Sequence, residues 1–312
     1  MKHIFYILFL FLGITASAAT PEKHTHLYAV KGADSLYLDH YIAPVEGKRP
    51  CMMFVFGGGF VGGERDNKGY MPYFQLLTEN GYDVVSIDYR LGLKKLGSMP
   101  DPDMKEVIIL LNNAINMAVE DLFSATLYVL DNADEWQIDT QQIVTSGSSA
   151  GAITVLQAEN ALCNLTPSAA VLPADFRYAG VLSYAGAIFS LKGEPKWKRT
   201  PAPIMFFHGS ADRQVPYNKA TMLGIGFYGP KFLVKEFNKQ EWPHWFYDIE
   251  YHTHAIAGLP MIQNHNEILT FLSEFVKERR PLTITTTVRD KALERVNTKF
   301  KIMDYFEANY AR

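Results

Sequence analysis

The residues with the clearest capacity for chemistry are the five at 147–151, which read G-S-S-A-G. A short apolar strand is predicted just before them, at 142–145, and a helix just after, at 150–162. A tight turn between strand and helix lifts the hydroxyl of Ser149 clear of the sheet, and the flanking glycines remove side chains that would clash there. The sequence therefore predicts a nucleophilic serine, with the N–H of Ala150 directed at the oxyanion formed on a carbonyl substrate. A glycine- and serine-rich turn without chemical function is the alternative.

A second glycine-rich segment, F-G-G-G-F at 56–60, also follows a predicted strand. Because glycine has no side chain, the N–H groups of Gly58 and Gly59 can approach a substrate oxygen, which is how an oxyanion hole is built. A phosphate-binding loop would end in Lys followed by Ser or Thr, whereas this segment continues as G-G-E-R at 62–65. We therefore predict an oxyanion loop, with a merely flexible loop as the alternative.

The predicted strand at 204–207 ends in the loop H-G-S-A-D-R-Q-V-P at 208–216. A carboxylate in such a loop orients a histidine and stabilises its imidazolium form, so Asp212 is the predicted acid. Taken alone, Asp212 would be interpreted as the cap of a turn, and the serine motif upstream favours the chemical role. His208 is predicted to be structural, beneath this loop.

The predicted base is a histidine that follows Asp212, because serine motifs of this kind take their acid and then their histidine in that chain order. Four residues qualify: His244, His252, His254 and His265. His254 lies just past the predicted strand at 245–251 and is the preferred base, with His252 as its nearest rival. The H-x-H pair would alternatively suit a metal ion, but no third ligand has matching spacing, so we predict no metal.

The elements that must position these groups alternate between strands and helices along the chain. This alternation predicts an α/β fold, with a mostly parallel central sheet of about eight strands and helices on both faces. Loops that follow parallel strands meet at one edge of the sheet, so the serine, acid and glycine segments are expected to converge. The predicted strands are 26–30, 36–41, 51–56, 83–89, 142–145, 178–184, 204–207 and 245–251, and the predicted helices are 70–80, 103–132, 150–162 and 264–277.

The chain has 312 residues, and we predict one catalytic domain at 20–278 followed by a more charged extension at 279–312. Hydrophobic residues make up 48% of the chain, which is enough for a large core. The net charge is −3 and no basic cluster carries interleaved aromatic residues, which argues against a nucleic-acid partner. The two cysteines, Cys51 and Cys163, are predicted to be buried thiols.

Residues 1–19 have the pattern of a secretory signal peptide. Lys2 precedes an apolar run at 4–12, and the small residues A-S-A at 16–18 predict cleavage after Ala18 or Ala19. The apolar run is short for a membrane span. We therefore predict an exported protein, periplasmic or secreted, with no membrane contact once the leader is removed, and an uncleaved anchor is the alternative.

Together and in this order, the segments resemble the esterase/lipase branch of the α/β-hydrolase superfamily, near hormone-sensitive-lipase-like carboxylesterases and secreted feruloyl and acetylxylan esterases. The resemblance implies the α/β-hydrolase fold, with Ser149 as nucleophile, His254 as base and Asp212 as its partner, and no cofactor. It also implies Gly58, Gly59 and Ala150 as the oxyanion donors. The segments that carry it, within about residues 30–278, are L-Y-L-D at 36–39, F-G-G-G-F at 56–60, S-I-D-Y-R-L at 86–91, G-S-S-A-G at 147–151, H-G-S-A-D at 208–212 and H-A at 254–255.

One residue departs from the family pattern. The family usually has a histidine before the glycines, and this chain has Phe56. That histidine supports the loop and carries no proton in the reaction, so the chemistry is expected to survive. The hydrogen bonding that holds the loop is left open by the substitution.

The implied activity is cleavage of carboxylic esters through an acyl-enzyme, on a small-molecule or oligosaccharide substrate. The leader favours an enzyme for acyl, acetyl or feruloyl groups on carbohydrate, as do Trp242, Trp245 and Tyr247, which are expected near the His254 loop. Those aromatic side chains would equally suit packing in the core. A peptidase of the same fold and a catalytically inactive binding protein are the alternatives. Such a peptidase usually carries an added propeller or cap domain, and no part of the chain is long enough for a propeller.

Overall fold

The computed structural model describes residues 21–96, 99 and 103–310, so the predicted leader lies outside the described residues. Within this part of the chain, strands and helices alternate along most of the sequence, as predicted. The strands are β1 (Glu22–Lys31), β2 (Asp34–Ile42), β3 (Arg49–Val55), β4 (Asp83–Ile87), β5 (Ile138–Ser148), β6 (Gly180–Tyr184), β7 (Ile188–Ser190), β8 (Ile204–Gly209), β9 (Lys219–Met222), β10 (Ile225–Tyr228), β11 (His244–Ile249) and β12 (Thr283–Val288). The helices are α1 (Met71–Glu79), α2 (Met104–Asp131), α3 (Ala150–Asn164), α4 (Pro230–Lys239), α5 (Pro260–Gln263), α6 (His265–Phe271) and α7 (Ile302–Tyr310), and a π-helical turn at Leu272–Lys277 continues α6.

Nine of these strands form one central sheet in the order β1-β2-β4-β3-β5-β6-β8-β11-β12. Neighbouring strands from β4 to β12 run parallel, while β2 is antiparallel to both β1 and β4. The predicted mostly parallel sheet is thus confirmed, and it has nine strands because β12 adds one at the edge. The remaining three described strands form a small antiparallel sheet in the order β7-β10-β9.

Helices cover both faces of the sheet, as two consecutive residues of β3 show. Met53 accepts a hydrogen bond at its Sδ from Thr126 of α2, at 3.3 Å. The ring of the next residue, Phe54, lies 5.1 Å from that of Phe74 in α1. Because consecutive side chains of a strand point to opposite faces, α1 and α2 lie on opposite sides of the sheet. Strands buried on both faces explain the continuous apolar runs in the sequence.

The long helix α2 begins where the sequence predicted. Asp103 caps it by accepting a hydrogen bond from the N–H of Glu106 at 2.7 Å, which satisfies one of the free donors at the helix start. By length and composition alone α2 would also suit a membrane span, but half of its most apolar stretch is buried inside the structure. Core helices of soluble proteins have the same property.

The extension predicted at 279–312 contacts the rest of the fold. Its strand β12 pairs with β11 in the central sheet, and the ring of Tyr305 in α7 lies 4.3 Å from that of Phe227 in β10. Asn309 donates to the carbonyl oxygen of Gln214 at 2.9 Å, and Arg213 donates to two carbonyl groups at 297–299. The domain division at 278 stays a prediction, and the segment after it contributes to the same sheet.

The two cysteines are buried and unpaired, as predicted. Cys51 lies in β3 and Cys163 near the end of α3. Burial raises the pKa of both thiols, because the charged thiolate is poorly solvated in the interior.

Candidate active site

Ser149 occupies a strained turn between β5 and α3, with φ 52° and ψ −114°. The two flanking glycines are required by close packing. A Cβ at Gly147 would lie 2.3 Å from the carbonyl oxygen of Gly151, and one at Gly151 would lie 2.0 Å from the carbonyl oxygen of Val55. Any side chain at these positions would force the turn open, so the G-S-S-A-G pattern has a direct steric cause.

His254 lies between Ser149 and Asp212. Its Nε2 is 2.8 Å from Ser149 Oγ, and its Nδ1 is 2.7 Å from Asp212 Oδ2. Since the carboxylate only accepts hydrogen bonds, Nδ1–H donates to Asp212, and in the neutral ring Nε2 is left to accept the serine proton. The structure brings together the three side chains that the sequence singled out, in the arrangement of a nucleophile, a base and an orienting acid.

The other three candidate histidines make different contacts. The Nδ1 of His252 accepts the N–H of Thr253 at 3.1 Å. His244 donates from Nδ1 to the carbonyl oxygen of Trp242 at 2.7 Å, at the start of β11, and His265 Nε2 lies 3.1 Å from the carbonyl oxygen of Met261.

Neither His252 nor His254 is on a strand, because β11 ends at Ile249. The strand geometry assumed for an H-x-H metal pair is therefore absent.

Both carboxylate oxygens of Asp212 accept hydrogen bonds. Its Oδ1 accepts the N–H groups of Gln214 and Val215 at 2.8 and 2.9 Å, so the turn cap and the histidine partner are the same residue. Burial alone would raise the pKa of this carboxyl group. Hydrogen bonds from His208 and His254 outweigh that effect and hold the pKa well below its usual range. Asp212 is consequently ionised at neutral pH.

His208 lies beneath the acid loop (residues 210–216), where it was predicted. It is fully buried, and its Nε2 lies 3.1 Å from the carbonyl oxygen of Val215 and 3.3 Å from Asp212 Oδ2. Its Nδ1 is buried without a partner within the described residues. A second imidazole therefore contacts the carboxylate, a contact that the sequence did not predict.

The acid loop and the histidine loop (residues 250–257) touch directly. The N–H of Ala211 donates to the carbonyl oxygen of His252 at 3.0 Å, and the N–H of Tyr251 donates to Ser210 Oγ at 2.8 Å. A Cβ at Gly209 would lie 2.2 Å from the carbonyl oxygen of His252. Sequence reasoning missed this function of Gly209 and Ser210, although a Gly-Ser pair directly after a buried strand was the available signal.

The glycine loop (residues 56–63) reaches the serine. A Cβ at Gly57 would lie 3.2 Å from the Cβ of Ser149, a close contact that a side chain could make only if the neighbouring atoms moved by a few tenths of an ångström. Gly58 and Gly59 have φ of 128° and 62°, values that favour glycine. Within the described part of the chain, the N–H groups of Gly58, Gly59 and Ala150 have no hydrogen-bond acceptor. All three are thus available to a bound oxygen.

The three aromatic residues expected near the histidine loop pack elsewhere. The ring of Trp242, two residues before β11, lies 5.3 Å from that of Phe237. The length of β11, about 20 Å, separates Trp242 from the histidine loop. Trp245 is buried and donates to Thr286 Oγ1 at 3.0 Å. Tyr247 donates to Glu267 at 3.3 Å. The expectation of an aromatic binding surface beside His254 is corrected, and the packing alternative describes these residues.

No cluster of three or more His, Cys, Asp or Glu side chains suited to a metal ion occurs among the residues that the structure describes. The polar groups that converge at the site are instead a hydroxyl, an imidazole, a carboxylate and free N–H groups. This set can move one proton and stabilise one developing negative charge, as acyl transfer requires.

Comparison with known proteins agrees with the architecture. The BD-FAE family model matches residues 38–161, which contain the glycine loop and Ser149 but neither Asp212 nor His254. The fumonisin B1 esterase of Sphingopyxis macrogoltabida is 33% identical over 125 residues, 38% of this chain and 22% of that protein. An AB hydrolase superfamily protein of Schizosaccharomyces pombe is 29% identical over 163 residues, 52% of this chain and 39% of that protein. The matched segments thus span less than half the length of these relatives.

Solved structures extend the likeness across most of the chain. The apo form of Thermogutta terrifontis esterase 2 superposes with a TM-score of 0.59 at 20% identity, covering 85% of this chain and 97% of that chain. At 20% sequence identity, this structural similarity shows the fold alone. The chain has the α/β-hydrolase fold, and its resemblance to esterases of that fold is confirmed.

Proposed function

We propose that this protein, a chain with the α/β-hydrolase fold, is a serine esterase. The observation that carries the proposal is the position of His254, 2.8 Å from the hydroxyl of Ser149 and 2.7 Å from the carboxylate of Asp212. The free N–H groups of Gly58, Gly59 and Ala150 supply the complementary positive charge. The esterase names of the matched relatives support an ester as the substrate.

In the proposed acylation step, His254 Nε2 removes the proton of Ser149 Oγ as that oxygen bonds to the ester carbonyl carbon. The carbonyl oxygen becomes an oxyanion and accepts hydrogen bonds from the free N–H groups, which strengthen as the charge develops. The ester bond then breaks, and the imidazolium gives its proton to the departing alcohol. Asp212 stays ionised throughout and stabilises that imidazolium.

Deacylation repeats the same steps with water. His254 removes a proton from water as the oxygen attacks the acyl-enzyme, and the proton is returned to Ser149 Oγ when the carboxylic acid leaves. The cycle consumes one water and releases one alcohol and one acid. None of these steps calls for a cofactor.

The finer proposal is an exported enzyme that removes acyl, acetyl or feruloyl groups from carbohydrate. It is supported by the leader pattern at 1–19 and by the resemblance to secreted carbohydrate esterases. The aromatic residues Trp242, Trp245 and Tyr247 no longer contribute to this argument, because they pack away from the histidine loop.

We predict that Ser149→Ala and His254→Ala each lower kcat for short p-nitrophenyl esters by about 10⁴-fold or more, because each removes a member of one proton-transfer unit. His252→Ala is the matched control, since its side chain contacts neither Ser149 nor Asp212, and it should keep activity within about twofold of wild type. Thermal unfolding of each variant checks that folding is retained. Near-wild-type activity in Ser149→Ala would remove this residue from the mechanism.

Wild type and Ser149→Ala also distinguish the proposed esterase from the two alternatives, an inactive binding protein and a peptidase. Labelling of wild type by a fluorophosphonate probe, and its loss in Ser149→Ala, distinguishes a live nucleophile from an inactive binding protein. Release of acetate or ferulate from xylan fragments, measured beside peptide amides, distinguishes an esterase from a peptidase. The exported fraction of an expressing host should contain Ser149-dependent activity on a protein that starts at Ala19 or Thr20.

A further inference from the structure

The glycine loop begins at a peptide unit whose two polar groups are both held by tyrosines. The carbonyl oxygen of Phe56 accepts a hydrogen bond from Tyr89 Oη at 3.1 Å. The N–H of Gly57, in the same peptide unit, donates to Tyr70 Oη at 3.2 Å. The plane of the Phe56–Gly57 peptide unit is therefore restrained from both ends, by residues that come from two different parts of the chain.

Both tyrosines are themselves fixed. Tyr89 is buried, its ring lies 4.5 Å from that of Phe56, and the next residue, Arg90, binds Asp121 through its backbone N–H and side chain. Tyr70 is half-buried, and its ring lies 4.6 Å from that of Phe54. The hydroxyl groups thus have little freedom to follow the peptide unit if it rotates.

The Phe56–Gly57 peptide unit lies directly against the serine turn. A Cβ at Gly151 would lie 2.7 Å from the carbonyl oxygen of Phe56, and a Cβ at Gly57 would lie 3.1 Å from that of Ser148. On the outer side, a Cβ at Gly63 would lie 2.3 Å from the carbonyl oxygen of Gly57. The first residues of the glycine loop are therefore packed between the serine turn and Gly63 at the end of the same loop. The two tyrosine hydroxyls contact the peptide unit at which the loop begins.

We propose that Tyr70 and Tyr89 are positioning residues that aim the N–H group of Gly58 at the oxyanion. The Gly58–Gly59 peptide unit is held within the loop, because the carbonyl oxygen of Gly58 accepts the N–H groups of Val61 and Gly62 at 3.0 and 3.1 Å. The N–H of Gly58 belongs to the unit before it, and since glycine imposes no conformation of its own, the direction of that N–H depends on the Phe56–Gly57 peptide unit. The side chain of Phe56 cannot form a hydrogen bond to hold the loop, whereas the two tyrosines hold its first peptide unit through their hydroxyl groups. The inference deepens the proposed esterase function and rests on it.

The kinetic test uses Tyr70→Phe, Tyr89→Phe and the double variant, with p-nitrophenyl acetate as substrate. Each single change should lower kcat about tenfold, because a misdirected oxyanion donor weakens binding of the transition state. KM should stay within about twofold, since the oxyanion forms after substrate binds. The double variant should lose less than the product of the single losses, because both hydroxyls restrain one peptide unit.

Tyr228→Phe is the matched control. Its hydroxyl lies 3.2 Å from the carbonyl oxygen of Gly224, so it loses a phenol-to-carbonyl hydrogen bond outside the glycine loop. We expect its kcat to equal that of wild type. Equal kcat in Tyr70→Phe, Tyr89→Phe and Tyr228→Phe would overturn the proposal, as would fully multiplicative losses in the double variant.

Amide hydrogen exchange of the segment 54–63 gives a readout that does not depend on activity. Gly57 N–H should exchange at least about tenfold faster in Tyr70→Phe than in wild type or Tyr228→Phe, because it loses its acceptor. An unchanged exchange rate of the Gly57 N–H in Tyr70→Phe would contradict the claim that Tyr70 restrains this peptide unit. If wild type shows no Ser149-dependent hydrolysis, the proposed esterase function fails separately, and the exchange rates alone then decide whether Tyr70 holds the peptide unit.

Discussion

At the scale of single residues, Asp212 makes both sets of contacts that the sequence presented as alternatives, those of a turn cap and those of a histidine partner. One carboxylate oxygen caps the turn through the N–H groups of Gln214 and Val215, and the other meets His254 and His208. The turn contacts leave the carboxylate few orientations, so they also direct it at the imidazole. A structural and a catalytic interpretation of the same side chain are here compatible.

The depressed pKa of Asp212 predicts a pH dependence of stability. Burial opposes ionisation, but the hydrogen bonds from His208 and His254 stabilise the carboxylate more, so the folded-state pKa lies below the ordinary value of 3.8 for an aspartate. Stability from this ionisation is fully present above the unfolded-state pKa and is lost as the pH falls through the folded-state pKa. We expect the Tm difference between wild type and Asp212→Asn to shrink between about pH 5 and about pH 2.

Thermal unfolding across that pH range tests the prediction. Asp34→Asn, at an exposed position with no hydrogen bond from its side chain in the described structure, is the control for loss of a surface carboxylate. A Tm difference between wild type and Asp212→Asn that stays constant down to pH 2 would contradict a depressed folded-state pKa.

At the scale of elements, the site depends on parallel strands that are neighbours in the sheet. β8 pairs with β11, so the acid loop and the histidine loop leave the sheet side by side. The strand β5 delivers Ser149 into the turn before α3. The side chain of Ser148 then joins the two regions, since its Oγ donates to the carbonyl oxygen of Ala257 at 2.8 Å.

Gly209, the last residue of β8, packs tightly against the histidine loop, and this makes a specific prediction. Gly209→Ala would place a methyl group 2.2 Å from the carbonyl oxygen of His252. We expect the loops to separate, with a loss of about 1–3 kcal/mol in the free energy of unfolding and a fall of about 10²-fold in kcat/KM from misplacement of His254.

Gly258→Ala is the matched control for this substitution. A Cβ at Gly258 meets nothing within 4 Å, and its φ of −132° is accessible to alanine. Chemical denaturation and ester hydrolysis should therefore leave Gly258→Ala close to wild type. Equal unfolding free energies and equal kcat/KM in the two variants would contradict the prediction, because the loops would then accommodate a methyl group at Gly209.

At the scale of the whole molecule, the C-terminal segment links the outer layer of the fold to the acid loop. Through β12 it widens the central sheet, and through α7 it covers Phe227 of the small sheet. Arg213 and Gln214, the two residues after Asp212, both form hydrogen bonds with this segment. A region far from the reaction in sequence thus supports the residues beside the acid.

We predict that a chain ending after Val296 has a Tm lower by about 5 °C or more, because it exposes apolar surface that α7 covers. Its kcat/KM should fall several-fold, since the acid loop loses the contacts of Arg213 and Gln214. Arg213→Ala separates the two effects, because it removes the contacts of Arg213 alone and leaves α7 in place, so it should lower kcat/KM with a smaller change in Tm. Unchanged Tm and activity in the shortened chain would make the segment dispensable.

The sequence alone predicted eight of the nine strands of the central sheet in chain order, and the candidate serine, acid and base. It did not predict the small sheet (β7, β9 and β10), the edge strand β12, or the helices α4, α5 and α7. Apolar runs, glycines beside Ser149, and an Asp after a buried strand are local patterns, because strand periodicity and turn sterics act over a few residues. The preference for His254 over His252 likewise came from its place in the chain.

Only the tertiary structure decided which groups touch across the chain. The contacts of His208 and His254 with one carboxylate, of Tyr70 and Tyr89 with one peptide unit, and of Gly209 with His252 join residues from separate strands and loops. The same holds for Trp245 and Tyr247 of β11, whose hydrogen-bond partners Thr286 and Glu267 lie 41 and 20 residues away in sequence. These contacts depend on the order of the parallel strands in the sheet and on how the loops after them pack. That order arises only when segments distant in sequence pair in one sheet.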